Sequence, residues 1–392
     1  MTIRILKNAK IYTGHPVRPW AESIALADGC VKALGADAHS WCEAPGAKVE
    51  DMNQALILPG LIDAHLHLQH LAESLAMVDC ETDSLQACLS QVKSKAEALP
   101  EDAWVRGHGW NQNNWEEGFG SAVQLDQITG GRPTYLTAKS LHAAWANSKA
   151  LTIAGIQAQT PDPPSGIIQR DKDGQPTGIL FEAGALAMVE SAIPKTSKKK
   201  LSAQIGSLIP QLWSYGLVSV HDFDGMDCWF SLMDLYQRGK LGIRVRKNIP
   251  FDHLDSFIHA GFGTDFGDDW LHLGGVKLFA DGALGPQTAA MFEPYKGGDQ
   301  RGALLLSEGE ILEIGKLAAN HKIALTVHAI GDRANHVVLN AFEKLRKYEQ
   351  DQGLPHQQHR IEHVQILNPH DLPRFTALGI VASVQPVHAP SD

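Results

Sequence analysis

The sequence predicts an α/β fold, a TIM-type (β/α)8 barrel lacking its eighth strand, with a small N-terminal β-sandwich part. Three observations carry this. From Leu56 onward, apolar strand-like runs alternate with longer amphipathic stretches, the signature of parallel βα units. Seven such runs can be placed, where a closed barrel needs eight. Before Leu56, short alternating segments with turn residues between them read as sandwich strands. The expected domains are 1–55, a partial β-sandwich, and 56–392, the barrel, with 69–200 inserted as a cap.

In chain order, Ile3 to Leu6, Ala9 to Tyr12, Ser23 to Leu26 and Val31 to Leu34 alternate apolar and polar residues, the last two flanking Asp28-Gly29. The barrel runs are Leu56 to Leu68, Leu217 to Phe223, Ile243 to Ile249, Val276 to Asp281, Ala324 to Ile330, Arg360 to Gln365 and Ile380 to Gln385. Helices fit between them, as at Ile311 to His321 and Asn335 to Tyr348. Residues 69 to about 200 break the rhythm with strand-like Trp104 to Gly107 and Thr134 to Thr137 and a hairpin around Asp171-Lys172-Asp173-Gly174. An insertion after the first strand lies over the carboxyl ends of the strands, where barrel active sites are built.

Composition narrows the partners. A net charge of −10 disfavours nucleic acid and anionic membranes, because phosphate binding depends on clustered Lys and Arg. The basic run Lys198-Lys199-Lys200 reads as a solvated helix start. No stretch reaches the roughly 18 unbroken apolar residues of a membrane span. Five scattered cysteines without a CxxC pair indicate neither a disulfide framework nor a zinc knuckle. Together with a start that lacks a secretory pattern, they point to the cytoplasm. The expected partner is a small-molecule substrate; homo-oligomerisation is left open.

The chemistry concentrates in Leu58-Pro59-Gly60-Leu61-Ile62-Asp63-Ala64-His65-Leu66-His67. On a strand, period two puts His65 and His67 on one face, able to present two imidazoles to one metal. Alone, HxH marks hydrogen-bonded core histidines more often than ligands. Lys277 in GGVKLFAD, His328 in LTVH and His363 in RIEH fall on later strand ends. Singly, these are a snorkelling lysine and satisfied core histidines; together they are a poor coincidence.

At these residues the chain resembles the amidohydrolase superfamily, in particular amidohydrolase family 3, the YtcJ-like proteins. The resemblance rests on PGLIDAHLHL, Gly107-His108-Gly109-Trp110, LHAAWANSKAL, DKDGQPTGIL, GGVKLFADGALG, VHAIGDRA and RIEHVQ followed by SVQP, and it spans essentially the whole chain. It implies that His65 and His67 bind one divalent metal and His328 and His363 a second. Lys277 bridges them as a carbamate, and zinc is the default ion, with one or two expected. The implied reaction is hydrolysis of a C–N bond in an amide or cyclic amide by a hydroxide held at the metal, with Lys277 and His328 in catalytic roles. Ring deamination is the neighbouring chemistry.

The pattern departs from the family at one point: the aspartate expected at the end of an eighth strand is not found, and Asp392 matches a loop position instead. A truncated chain is therefore expected, and a catalytically impaired metal-binding or regulatory protein is the alternative function. In the insertion, Trp110, His142 and His108 are weighed as substrate contacts against packing. Asp281 is weighed as a residue orienting Lys277 or solvent against a plain loop carboxylate.

Overall fold

The computed structural model describes residues 3–391. Two compact units separate. One runs to Asp63 and takes in Leu212–Val220; the other holds Ala64–Gln211 and the chain from His221 onward.

In the first unit, a four-stranded sheet has the order Cys30–Leu34, Ile24–Ala27, Ile3–Lys7, Lys48–Asp51. A three-stranded sheet orders Trp20–Ala21, Lys10–Tyr12, Leu56–Ile57. Alternation buries Ile3 and Ile5 with Ala25 and Ala27, and, separately, Ile11 with Ala9 and Ile24.

The main sheet has seven strands: Leu61–Leu66, Leu217–Asp222, Arg244–Pro250, Leu271–Phe279, Leu325–Ala329, Arg360–His363 and Val381–Ser383. They are called sheet strands one to seven. Hydrogen-bonded neighbours follow chain order, and the pairings from strand three through seven are parallel. Consecutive parallel strands in chain order are the arrangement of a TIM-type barrel sheet. Leu325, Val327 and Ala329 alternate outward onto helices Glu308–Asn320 and Asp332–Asp351, where Val338, Leu339, Phe342 and Leu345 are fully buried. The opposite face carries Thr326 and His328.

Two boundaries depart from the sequence reading. The predicted Leu56–Leu68 strand is interrupted at Pro59 and Gly60: a Cβ on Gly60 would lie 2.2 Å from Val218. The strand then ends at Leu66, and His67 becomes the residue before helix Leu68–Leu75. Strand four starts at Leu271, well before Val276, because its glycines allow close approach; a Cβ on Gly275 would sit 2.6 Å from the Thr326 hydroxyl.

The insertion forms a six-stranded sheet in the order Ile167–Arg170, Pro176–Phe181, Ala143–Ala146, Thr134–Ala138, Val105–Trp110, Val78–Asp79. The predicted hairpin is there, turning at Gly174 with φ 75°. Ala143–Ala146 is buried at every position, so no alternation betrays it. No helix among the described residues is long and apolar enough to cross a membrane.

Candidate metal centre

Histidines from sheet strands one, five and six meet. The ring centroids of His65 and His363 are 4.7 Å apart, those of His328 and His363 4.6 Å, and those of His65 and His67 5.5 Å. Lys277, on strand four, extends from the same side, its Nζ 4.8 Å from the Phe223 ring and 4.9 Å from that of Phe279. The residues singled out as ligands are therefore neighbours, despite lying up to hundreds of positions apart in the chain.

Strict alternation would turn His363 away from this group, because its neighbour Glu362 faces the same interior as His328. The backbone corrects this. His363 has φ 76° and Val364 φ 47°, left-handed values that side-chain-bearing residues seldom adopt. The strand breaks there, and the imidazole joins the cluster. Strain of this kind persists where surrounding structure over-determines it, and it concentrates at functional sites.

Each histidine is anchored through one ring nitrogen. Nδ1 of His65 bonds the Glu362 carboxylate at 2.7 Å and Nδ1 of His67 bonds Asp224 at 3.1 Å. Nδ1 of His363 bonds the Gln385 amide oxygen at 2.6 Å, and Nε2 of His328 bonds the Gly282 carbonyl at 3.0 Å. This is the pattern of metal-ligating imidazoles: one nitrogen is fixed by an acceptor, which sets the tautomer and leaves the lone pair on the other nitrogen.

Electrostatics keep those lone pairs available. Burial lowers the pKa of His328 to about 4 and that of His363 to about 3, with nearby positive charge adding to the effect in His363; burial also lowers His65. Burial drives Lys277 down to about 8, against the pull of Glu362. Burial would raise the Glu362 carboxyl, but its hydrogen bond with His65, the Arg360 charge and Ser383 outweigh this and hold it at about 2. Near neutral pH the imidazoles of His65, His328 and His363 are therefore neutral, with the ionised Glu362 carboxylate bracing His65, beside a lysine that can shed its proton. Neutral imidazoles backed by acceptors fit a divalent ion.

A second group, Asp222, Asp224 and Cys228, brings ligand-type atoms within 4.8 Å of one another. Its groups are already engaged. Buried Lys247 pairs with Asp222 at 2.7 Å and donates to the Asp224 carbonyl, and the amides of Leu68, Asp224 and Gln69 donate to the two carboxylates. Asp224, within this network, bonds Nδ1 of His67.

The substrate candidates change roles. Trp110 is 1% exposed, donates its indole N–H to the Leu136 carbonyl and packs on Trp115 and Phe119, so it belongs to the insertion's core and not to a substrate wall. His108 bonds the Thr137 hydroxyl at 2.9 Å. His142 is exposed and paired with Glu182 at 3.0 Å. Asp281 accepts the amides of Ala290, Ile330 and Gly331, which makes it the anchor of the loops after strands four and five instead of a partner for Lys277. Asp392 lies outside the described residues.

Sequence reasoning missed Glu362, Asp224, Gln385, Arg360 and His221. Glu362 had a signal, an acidic residue on an apolar strand beside a candidate ligand; the others become visible only through contacts across the fold. Cavities of about 460 and 560 Å³ lie on the insertion side, not over the histidines, sharing Glu73, Arg106, Pro194 and Lys195 as walls. Gln69, whose amide Asp224 holds, lines the larger one.

Comparison with known proteins identifies the family. The family model described as "Amidohydrolase family" matches residues 48–392. YtcJ of Bacillus subtilis is 29% identical over 394 residues, covering 97% of this chain and 72% of that protein. The N-substituted formamide deformylase of Arthrobacter pascens is 27% identical over 389 residues, covering 95% and 71%. The crystal structure of an uncharacterized metal-dependent hydrolase from Pyrococcus furiosus superposes with a TM-score of 0.82 at 28% identity, covering 100% of this chain and 78% of that one. A sheet, an anchored histidine cluster and a family match over most of the chain converge on one assignment: the protein belongs to the amidohydrolase family.

Proposed function

We propose that the protein hydrolyses a C–N bond of an N-acyl or N-formyl amine or a cyclic amide, at a divalent metal centre held by His65, His67, Lys277, His328 and His363. The observation that carries the reading is the anchoring of all four imidazoles through one nitrogen each, around a buried lysine. The deformylase relative supports the bond type.

When bound, the metal supplies Lewis acidity, polarising a carbonyl and bringing the pKa of water down to about 7 as in zinc sites. The chain's own residues do the rest. Glu362 and Asp224 fix the tautomers of His65 and His67. Lys277, with its pKa near 8, is able to present an unprotonated amine, which carbon dioxide converts to a carbamate by forming an N–C bond and releasing one proton. The carbamate offers two anionic oxygens where an ammonium offers no lone pair. Phe223, stacked on His65 at 4.0 Å, shields one face of that imidazole from water.

The alternative, a metal-binding protein without turnover, has one observation behind it. The carboxylates bonded to the cluster and its loops, Glu362, Asp224 and Asp281, all accept several hydrogen bonds and are committed to holding structure.

The test is a panel of N-formyl amines, N-acyl amines, cyclic amides and ring amines assayed with the zinc-loaded protein in bicarbonate, beside Lys277→Met. Turnover of an amide that Lys277→Met lowers by at least about a thousandfold supports the proposal. Bound metal with no turnover across the panel favours the binding reading, and ammonia release from ring amines alone would reassign the chemistry to deamination.

A further inference from the structure

The sheet order sets strand one at one end and strands six and seven at the other, with no backbone ladder joining them among the described residues. Yet His65, on strand one, and His363, on strand six, are ring neighbours. Something other than backbone pairing must set that spacing, and among the described residues two buried groups on strand six, Arg360 and Glu362, are placed to do it. The Arg360 guanidinium, buried on strand six, donates to the Ala64 carbonyl of strand one at 2.9 Å and to Nδ1 of His221 on strand two at 2.6 Å. It also donates to the Ser383 hydroxyl on strand seven at 2.9 Å and to both Glu362 oxygens at 2.9 and 3.4 Å. Glu362 in turn receives Nδ1 of His65.

We infer that Arg360 and Glu362 form a clamp across the two ends of the sheet, which holds the strand-one histidine pair at its working distance from His328 and His363. This rests on the metal-centre reading above. Arg360 is a positioning residue, touching none of the reacting atoms. The coupling is direct because Glu362 and His363 are consecutive: the left-handed turn at His363 aims its imidazole to the side that Glu362 already faces, so one dipeptide contributes both the brace for His65 and a ligand. A planar fork of five donors is needed to reach four strands at once, and the three donors of a lysine ammonium do not reproduce that geometry. His221 accepts from Arg360 through Nδ1, which fixes that ring as neutral and keeps it out of the ligand set.

Cobalt(II) titrated into the metal-free protein, followed by its visible absorption, reads affinity and ligand geometry without any assay of turnover. Arg360→Met and Arg360→Lys are expected to weaken cobalt binding about 10- to 100-fold, the range seen for groups that hold ligands, and to alter the band shape. Leu125→Ala, in the insertion's core, lowers the melting temperature while leaving affinity and spectrum at wild-type values. Glu362→Gln keeps the size of the brace and removes its charge; it weakens binding too, and it decides the matter should Arg360→Met fail to fold. Wild-type affinity and spectrum in Arg360→Lys or Glu362→Gln would overturn the clamp. A wild-type protein that takes up no cobalt would overturn the metal-centre reading itself, and the clamp with it.

Discussion

His363 shows how much chemistry can depend on one backbone angle. A non-glycine residue at φ 76° costs of order 1–3 kcal/mol, and here that cost places an imidazole against His65 and His328. The neighbouring pKa shifts give this residue scale a pH signature. His328 and His363 titrate near 4 and 3 when folded, against about 6.5 for an unfolded histidine. Between these values the unfolded chain binds protons that the metal-free folded chain does not, so folded stability falls as pH drops from about 6.5 toward 4. Urea melts of metal-free protein from pH 7.5 to 4.5 should show a midpoint that declines below pH 6.5, and a flat midpoint would contradict the neutral-imidazole account. Lys277 adds a second limb of the same sign at higher pH. Its depressed pKa lets the unfolded chain hold more protons between about 8 and about 10.4, so stability rises with pH across that window. The five candidate residues could be picked out in the sequence because each is a polar residue on or just beyond an apolar strand. Their braces could not, because Asp224 and Gln385 sit in loops with no local pattern and acquire meaning only beside His67 and His363.

Among the elements, the insertion gives the clearest division between what pattern reveals and what packing decides. Its hairpin was readable from Asp171 to Gly174, since the turn needs a positive φ that glycine supplies freely. Trp110 was left between packing and substrate contact because aromatic residues serve both; its burial and the hydrogen bond to Leu136 place it in the insertion's core. Trp110→Ala is expected to destabilise the protein by about 3–5 kcal/mol, with metal content unchanged. Thermal denaturation alongside metal analysis checks this, and a stable variant with altered substrate saturation would return Trp110 to the active site. Strand four makes a related point. Gly274 and Gly275 look like a break in the sequence, yet they sit inside a nine-residue strand, where the missing side chains let strands three and five approach.

At the scale of the whole molecule, the seven-strand order was legible from the βα rhythm, whereas the insertion sheet was legible only in part: Trp104 to Gly107, Thr134 to Thr137 and the hairpin could be read, but Ala143–Ala146, buried at every position, lacks alternation. Apolar side chains remain in solvent on both terminal strands of the main sheet and just beyond: Leu61 and Ile62 are 57% and 60% exposed, and Val384 is 58% exposed. Exposed strand edges with such residues template association. The protein should therefore self-associate at micromolar concentration, and Ile62→Lys should shift light scattering toward the monomer; a monodisperse wild-type monomer would refute this. The account as a whole depends on a metal bound by the anchored histidines. Anomalous diffraction at the zinc edge tests that most directly, on crystals of the loaded protein. A peak, or a pair of peaks, within bonding distance of His65, His67, Lys277, His328 and His363 is predicted. Zinc found instead at Asp222, Asp224 and Cys228, or absent from the histidines at full loading, would contradict it.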